Sequence, residues 1–272
     1  MPDVSLIVCT NRPAVLGRFI GQLAESARQS APVCEVIVVD DGSDPPVPVT
    51  GGVDRVVRQR ASGAAAARNT GAAAAAGDWL LFCDDDVVLP PESIDVLWHS
   101  RAPRRCLVPE LRGPDGHLQN AYTAHWRRGD LKFDLHRDPV PEVAYPVSAC
   151  LLVEKSAYWE CGGMDERFVI YYEDTMFGFA LRRIGMRTFM VDAVAVHHIH
   201  GSAGGVPPHV RRGVFTGRWL FAALALRGWR RAVALTLGGP RTIAESMRLR
   251  SVEPALGYVR GLWRLTGAAR NP

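Results

Sequence analysis

The chain has 272 residues and 47% hydrophobic content, enough for one large domain or a domain with an appendage. Its longest apolar stretch, residues 219–226, falls far short of the ~20 residues that cross a bilayer, and six cysteines without a CxxC pair or zinc spacing exclude a structural zinc site. The net charge of +4 conceals an asymmetry: residues 206–272 hold 12 Arg against two Glu, or +10, which leaves residues 1–205 at −6.

An acidic body joined to a basic tail points the tail toward an anionic surface, either phospholipid or nucleic acid. The cysteines, several of them in apolar runs, read as small buried hydrophobes in a reducing compartment. Met1-Pro2-Asp3 lacks the basic start of a signal peptide. The expected location is cytoplasmic, with peripheral contact at the inner face of the cell membrane through the tail.

Residues 4–9 read as a short apolar strand, and Asn11-Arg12-Pro13 as a helix start with Asn11 as cap. Leu16, Phe19, Ile20, Leu23 and Ala27 recur at helical spacing through Gln29. Residues 35–39 form a second strand that ends in Asp40-Asp41-Gly42-Ser43, and residues 53–58 fit a third. The Ala-rich stretch 63–77 favours helix except at Gly71, and residues 79–83 are a fourth strand. This alternation implies a mostly parallel sheet with helices on its faces.

Another helix opens at Pro90-Pro91-Glu92. From 105 to 141 the periodicity weakens around a hairpin-type turn at residues 113–116, and Tyr122, His125, Trp126, Arg127 and Arg128 are expected to shape an irregular cleft. Residues 147–153 return to strand. Tyr171-Tyr172-Glu173-Asp174 leads a helix closed by Gly185, and residues 188–199 form a strand whose end carries His197, His198 and His200.

The chemistry centres on Asp84, Asp85 and Asp86, three consecutive acids at the end of the fourth strand. Such acids repel one another, and burying them without a cation is costly. A divalent metal carrying a phosphorylated ligand would supply the missing charge. In open sheets of this kind ligands lie outside the C-terminal strand ends, where Asn11, Asp40, Asp41 and the three acids would gather. The competing reading of the acids is a set of turn-forming residues.

Five blocks in order, SLIVCTNRP, EVIVVDDGSD, GAAAARNTGAAAAAGDWLLFCDDDV, CGGMDERFVIYYEDTMFGFALRRIGM and VAVHHIHG, make residues 4–202 resemble the family 2 glycosyltransferases of GT-A fold. The resemblance implies a Rossmann-like α/β domain over residues 1–205, followed by a helical basic C-terminal extension over 206–272. It further implies an inverting, metal-dependent transfer of a sugar from a nucleoside-diphosphate donor to an acceptor hydroxyl.

By the family pattern Asp86 would be the metal ligand, Asp84 would face the ribose, and Asp85 would support both. Asp40 or Asp41 would accept from the base ring, which favours a pyrimidine nucleotide, with Thr10, Asn11 and Arg12 alongside. Arg68 resembles the element that braces the nucleotide pocket. Asp174 resembles the general base, with Glu173 beside it. His198 best matches the register of a metal-binding histidine, with His200 second; strand alternation places His197 on the opposite face. A mostly oxygen ligand set favours Mn²⁺ or Mg²⁺ over zinc.

In the tail, Trp219, Phe221, Trp229, Tyr258 and Trp263 interleave with arginines, as in interfacial amphipathic helices; a helical subdomain packed on the body fits as well. A lipid-linked or cell-envelope acceptor suits the first reading, and a soluble natural-product acceptor the second. Residues 111–141 are expected to contact the acceptor. Nucleic acid is not an expected partner, because the acidic body offers no matching basic face. Two rivals share the architecture. A sugar nucleotidylyltransferase would want a glycine- and arginine-rich loop where residues 4–13 have one arginine and no glycine. A non-catalytic sugar-nucleotide-binding scaffold would lack a base or a metal acid.

Overall fold

The computed structural model describes residues 4–30, 32–48, 51–127, 130–169, 171–198, 208–226, 242–244, 246–247 and 251–265. Expectations that fall on Arg128, His200, Trp229, the side chains of His125, Trp126, Arg127 and Trp263, and the boundary at 205/206 lie outside the described residues.

The apolar runs become β1 (Val4–Thr10), β2 (Val33–Asp41), β3 (Arg55–Gln59) and β4 (Trp79–Asp84), all parallel, in the order β3-β2-β1-β4. Their side chains alternate between two cores, as a strand period of two requires. Leu6, Val8, Val36, Val38 and Leu81 pack with Leu16, Ile20 and Leu23 of α1 (Pro13–Gln29). Ile7, Ile37, Val39, Leu80 and Phe82 pack on the other face with Ala65, Ala67 and Ala72 of α2 (Ala64–Ala74). A side chain at Gly71 would collide with Ile7, so the break in the Ala-rich run is where the helix meets the sheet most closely.

After β4 come β5 (Val87–Val88), α3 (Pro91–His99) and β6 (Arg105–Arg112). The region read as irregular therefore begins with a strand in the middle of the sheet. Arg105, Pro109, Glu110 and Arg112 break its apolar pattern, and the buried Asn120 serves its backbone: Oδ1 accepts from Leu111 N at 3.0 Å and Nδ2 donates to Pro109 O at 2.7 Å. Next, β7 (Tyr122–Arg127) and β8 (Asp130–Leu135) form an antiparallel hairpin in place of the expected irregular cleft.

The chain continues through β9 (Glu142–Val143), β10 (Cys150–Glu154), α4 (Lys155–Glu160), α5 (Glu173–Arg183) and β11 (Arg187–His197). β10 runs antiparallel to both β4 and β6, whereas β11 is parallel to β6. One reversed strand thus leaves β1, β2, β4, β6 and β11 pointing the same way, so the end of β11 falls on the same edge as the end of β4.

Two described helices follow, α6 (Pro208–Ala225) and α7 (Glu253–Leu265). Leu220 and Phe221 of α6 pack with Phe168 and Met176, which ties the segment to the body. Among the described residues no helix is long and apolar enough to cross a membrane.

Candidate active site

The acids sit at the exit of β4. Asp84 ends the strand in register with Cys9, and Asp85 and Asp86 turn the chain into β5. Asp85 and Asp86 are 3% and 2% exposed, a burial that demands positive partners. The Arg12 guanidinium pairs with Asp85 and lies 3.2 Å from Asp86 Oδ2; Thr10 Oγ1 donates to Asp85 Oδ2 at 2.5 Å. Burial raises the Asp85 pKa, with the hydrogen bonds from Arg12 and Thr10 opposing it. Arg12, not Asn11, holds the cap position of α1, with no side-chain cap bond, and Asn11 is exposed.

β11 delivers a histidine to these acids. It pairs antiparallel with β5, Val196 opposite Val88 and His197 opposite Val87, and His198 N donates to Asp86 O at 2.9 Å. This register sends His197, not His198, to the carboxylates: Nε2 lies 3.2 Å from Asp86 Oδ1 and 4.0 Å from Asp84 Oδ2. His198 points the other way, its ring 5.0 Å from that of Phe19. The strand period separates the two histidines, but only the pairing with β5 decides which face meets the acids. Burial disfavours the His197 imidazolium, yet the hydrogen bond to Asp86 and the charges of Asp84 and Asp86 outweigh it and raise the pKa.

One oxygen each from Asp84 and Asp86 and one ring nitrogen of His197 lie within 4.8 Å of one another. Nδ1 of His197 lies 3.1 Å from Gln119 Oε1; a proton held there leaves Nε2 free to act as a ligand. This donor set is compatible with a divalent ion.

Arg68 links this group to a second pair of acids. It is 5% exposed, so it is no solvated helix-surface residue. Its Nη2 donates to Asp84 Oδ1 at 2.7 Å and to Ser148 O at 3.4 Å, and its Nη1 lies 3.6 Å from Glu173 Oε1. Glu173 and Asp174 open α5, where the helix dipole favours negative charge. Burial pushes Glu173 up to about 7, with the charge of Asp174 adding and Arg68 opposing. Burial likewise pushes Asp174 up to about 6, against the Thr175 N–H at 2.6 Å and the charge of Arg68. The turn before them is strained: Tyr171 and Tyr172 have φ of 62° and 70°, left-handed values that cost an aromatic residue about 1–3 kcal/mol each.

Asp40 and Asp41 stand on the same edge but spend their oxygens on loops. Asp40 accepts from Ser43 N at 2.8 Å and Val47 N at 3.1 Å, with Arg58 3.3 Å away. Burial disfavours its carboxylate, yet these bonds outweigh it and lower the pKa. Asp41 accepts from Gln59 Nε2 at 2.7 Å and from Ser62 N and Gly63 N at 2.8 Å.

Sequence reasoning missed Gln119 and the aromatic wall beside α5. Tyr122 stacks on Tyr145 at 5.3 Å, and Phe133 meets Tyr145 edge-on at 5.2 Å. Burial first, and then the charge of Asp174, raise the pKa values of both tyrosines. Gln119, Tyr122 and Phe133 fall within the 111–141 stretch expected to meet the acceptor, but only Tyr122 is singled out there; nothing in the local pattern marks Gln119 or Tyr145.

A model of the family described as glycosyl transferase family 2 matches residues 5–162, a span that ends before Glu173. The chain is 29% identical over 190 residues to an N-acetylglucosaminyl-diphospho-decaprenol L-rhamnosyltransferase of Mycobacterium tuberculosis, covering 61% of this chain. The match spans 62% of that relative's length. Among solved structures, GalNAc-T7 with UDP, GalNAc and Mn²⁺ superposes with a TM-score of 0.63 at 15% identity, over 100% of this chain and 59% of that one. S. aureus TarS 1–349 in complex with UDP-GlcNAc gives 0.59 at 16% identity, over 96% and 79%. At such identities the likeness concerns the fold, the GT-A arrangement of a central sheet between helical layers.

Proposed function

Because the chain belongs to the family 2 glycosyltransferases, we propose that it transfers a sugar, with inversion, from a pyrimidine nucleoside-diphosphate donor to an acceptor hydroxyl. The observation that carries this reading is the meeting of two acid groups through Arg68: Asp84, Asp86 and His197 on one side, Glu173 and Asp174 on the other. Residues 1–205 form the catalytic part in this reading, and residues 206–272 its helical basic extension.

Asp174 takes the proton of the acceptor hydroxyl as that oxygen attacks the anomeric carbon; the bond to the donor's phosphate oxygen breaks on the opposite face. Glu173, protonated more readily than a free carboxyl, lets Arg68 lean toward Asp84. Asp86 and His197, with Asp84 beside them, would hold a divalent ion, which would supply positive charge to the departing diphosphate. Thr10 and Arg12 fix Asp85 beneath the pair. Asp40 and Asp41 shape the loops against which the base rests. The stacked Tyr122 and Tyr145 offer an acceptor sugar an apolar face beside the base.

The relative's name specifies a sugar on a lipid diphosphate, and a lipid-linked acceptor met at a membrane surface is the acceptor class proposed here. The test is a thermal-shift screen of nucleoside diphosphates and their sugars with Mn²⁺. A pyrimidine nucleotide should raise the Tm by mass action, and donor plus lipid-linked acceptor should yield an inverted product. No shift with any nucleotide, with and without Mn²⁺, would sink the reading.

A further inference from the structure

The C-terminal helix α7 is built inside out for a helix in water. Its inward stripe is small: a Cβ on Gly257 would lie 2.6 Å from Phe215 Cβ and 2.8 Å from Arg212 O, and one on Gly261 3.0 Å from Thr216 O. The two helix backbones therefore touch closely, and the Arg212–Glu253 ion pair, at 2.6 Å, and the Trp219–Tyr258 edge contact, at 5.4 Å, fix the rotation of α7. Bulky apolar side chains are left on the opposite face. Val252, just before the helix, and Leu256 and Val259 on it, spaced four and three apart, are 66%, 44% and 64% exposed. Ile243 and Met247, upstream of α7, are exposed as well, at 61% and 74%. An outward apolar stripe of this kind marks an interaction surface.

We propose that the outward face of α7 seats the protein on an anionic phospholipid bilayer. Charge selects this occupant. Residues 206–272 carry 12 Arg and only two Glu, and one of those, Glu253, is already engaged by Arg212. Arg260 is exposed next to Val259. Apolar side chains entering the headgroup boundary beneath arginines is how interfacial helices bind, and each arginine near the surface adds attraction to anionic lipid. Nucleic acid would meet the arginines but gives the valines and Leu256 nothing to bury against. The helix that α7 packs on, α6, reaches the base-bearing turn: a side chain at Gly217 would lie 2.8 Å from Tyr171 O. Presentation of a lipid-linked acceptor to Asp174 from this seat rests on the function proposed above; the seat itself does not.

The test is flotation of the full chain with phosphatidylcholine vesicles containing about 30% phosphatidylglycerol, at low and high salt, scored without any catalytic readout. Wild-type chain should float with these vesicles, bind phosphatidylcholine alone at least about tenfold more weakly, and lose affinity as salt rises. L256D/V259D should weaken binding about tenfold or more while keeping the wild-type Tm; L256Q/V259Q, a milder change, should do the same if the aspartates disturb folding. Failure of the wild-type chain to float at low salt overturns the proposal. So does unchanged flotation of both double variants. A dimer in solution that L256Q/V259Q dissolves, with no flotation, would reassign the face to a second copy. RNA binding that both variants retain, again without flotation, would reassign the arginines. Vesicle binding by a chain inactive on every donor would leave the seat standing and remove the transferase reading.

Discussion

Arg68 donates to Asp84 across 2.7 Å from a different element, and its other terminal nitrogen lies 3.6 Å from Glu173. Three carboxylates feel one buried guanidinium, since Asp174 also contributes to raising the Arg68 pKa against the cost of burial. Removing that charge leaves buried acids uncompensated. Arg68→Gln should lower stability by about 3–5 kcal/mol. Arg68→Lys should recover part of the stability but little turnover, because an ammonium cannot reach both acids as a planar fork does. Denaturant unfolding and steady-state kinetics on both variants check this.

The two raised carboxyls predict opposite pH trends for stability and rate. Asp174 and Glu173 titrate higher in the folded chain than when unfolded, at about 6 and about 7. The stability tied to their protonated forms is fully present below about pH 4 and is lost as pH rises through 6 to 7. A general base must be ionised, so kcat should rise over that same interval. Asp174→Asn should flatten the acid side of the Tm–pH curve and cut kcat by about 10²- to 10⁴-fold with donor affinity intact. Retention of near wild-type turnover would remove Asp174 from the mechanism.

The two neighbouring histidines should separate cleanly. His197→Ala should weaken Mn²⁺ binding by roughly tenfold or more, whereas His198→Ala should leave it within about twofold. Calorimetric titration of Mn²⁺ into each donor-bound variant gives the answer. The reverse ranking would restore the choice that the sequence register favours.

The strained turn before Asp174 is braced by α6, where a Cβ on Gly217 would come within 2.8 Å of Tyr171 O and 2.9 Å of Tyr172 Cδ2. Gly217→Val should displace the turn. We expect a stability loss of about 1–3 kcal/mol and a larger fractional loss in kcat than in donor affinity. Comparing kcat with donor Kd separates a moved base from a damaged donor pocket.

The parallel half of the fold was legible because β1, β2 and β4 bury both faces and so read as unbroken apolar runs. The strand β6 was not, because Pro109 and Glu110 interrupt it and the Asn120 side chain supplies bonds that no local pattern announces. The acids were visible as residue types at strand ends. Their division of labour was not: it depends on the β5–β11 register for His197, and on the burial of Arg68 between elements far apart in sequence. The Asn11 cap failed because the residue before Pro13, not the better hydrogen-bonding side chain, occupies the cap position.

The reversed strand between β4 and β6, β10, has a consequence for how this protein can change. It is the seam between two blocks of chain: the early strands with the residues proposed for the donor, and the later segment with Tyr122, Tyr145 and Asp174 for the acceptor. Because the β7–β8 hairpin forms its own two-stranded sheet apart from the one that carries the early strands, substitutions in it should retarget the receiving alcohol while the nucleotide cradle stays as it is. Exchange of acceptor preference between relatives should then map to residues 120–175, with the first 84 positions left untouched.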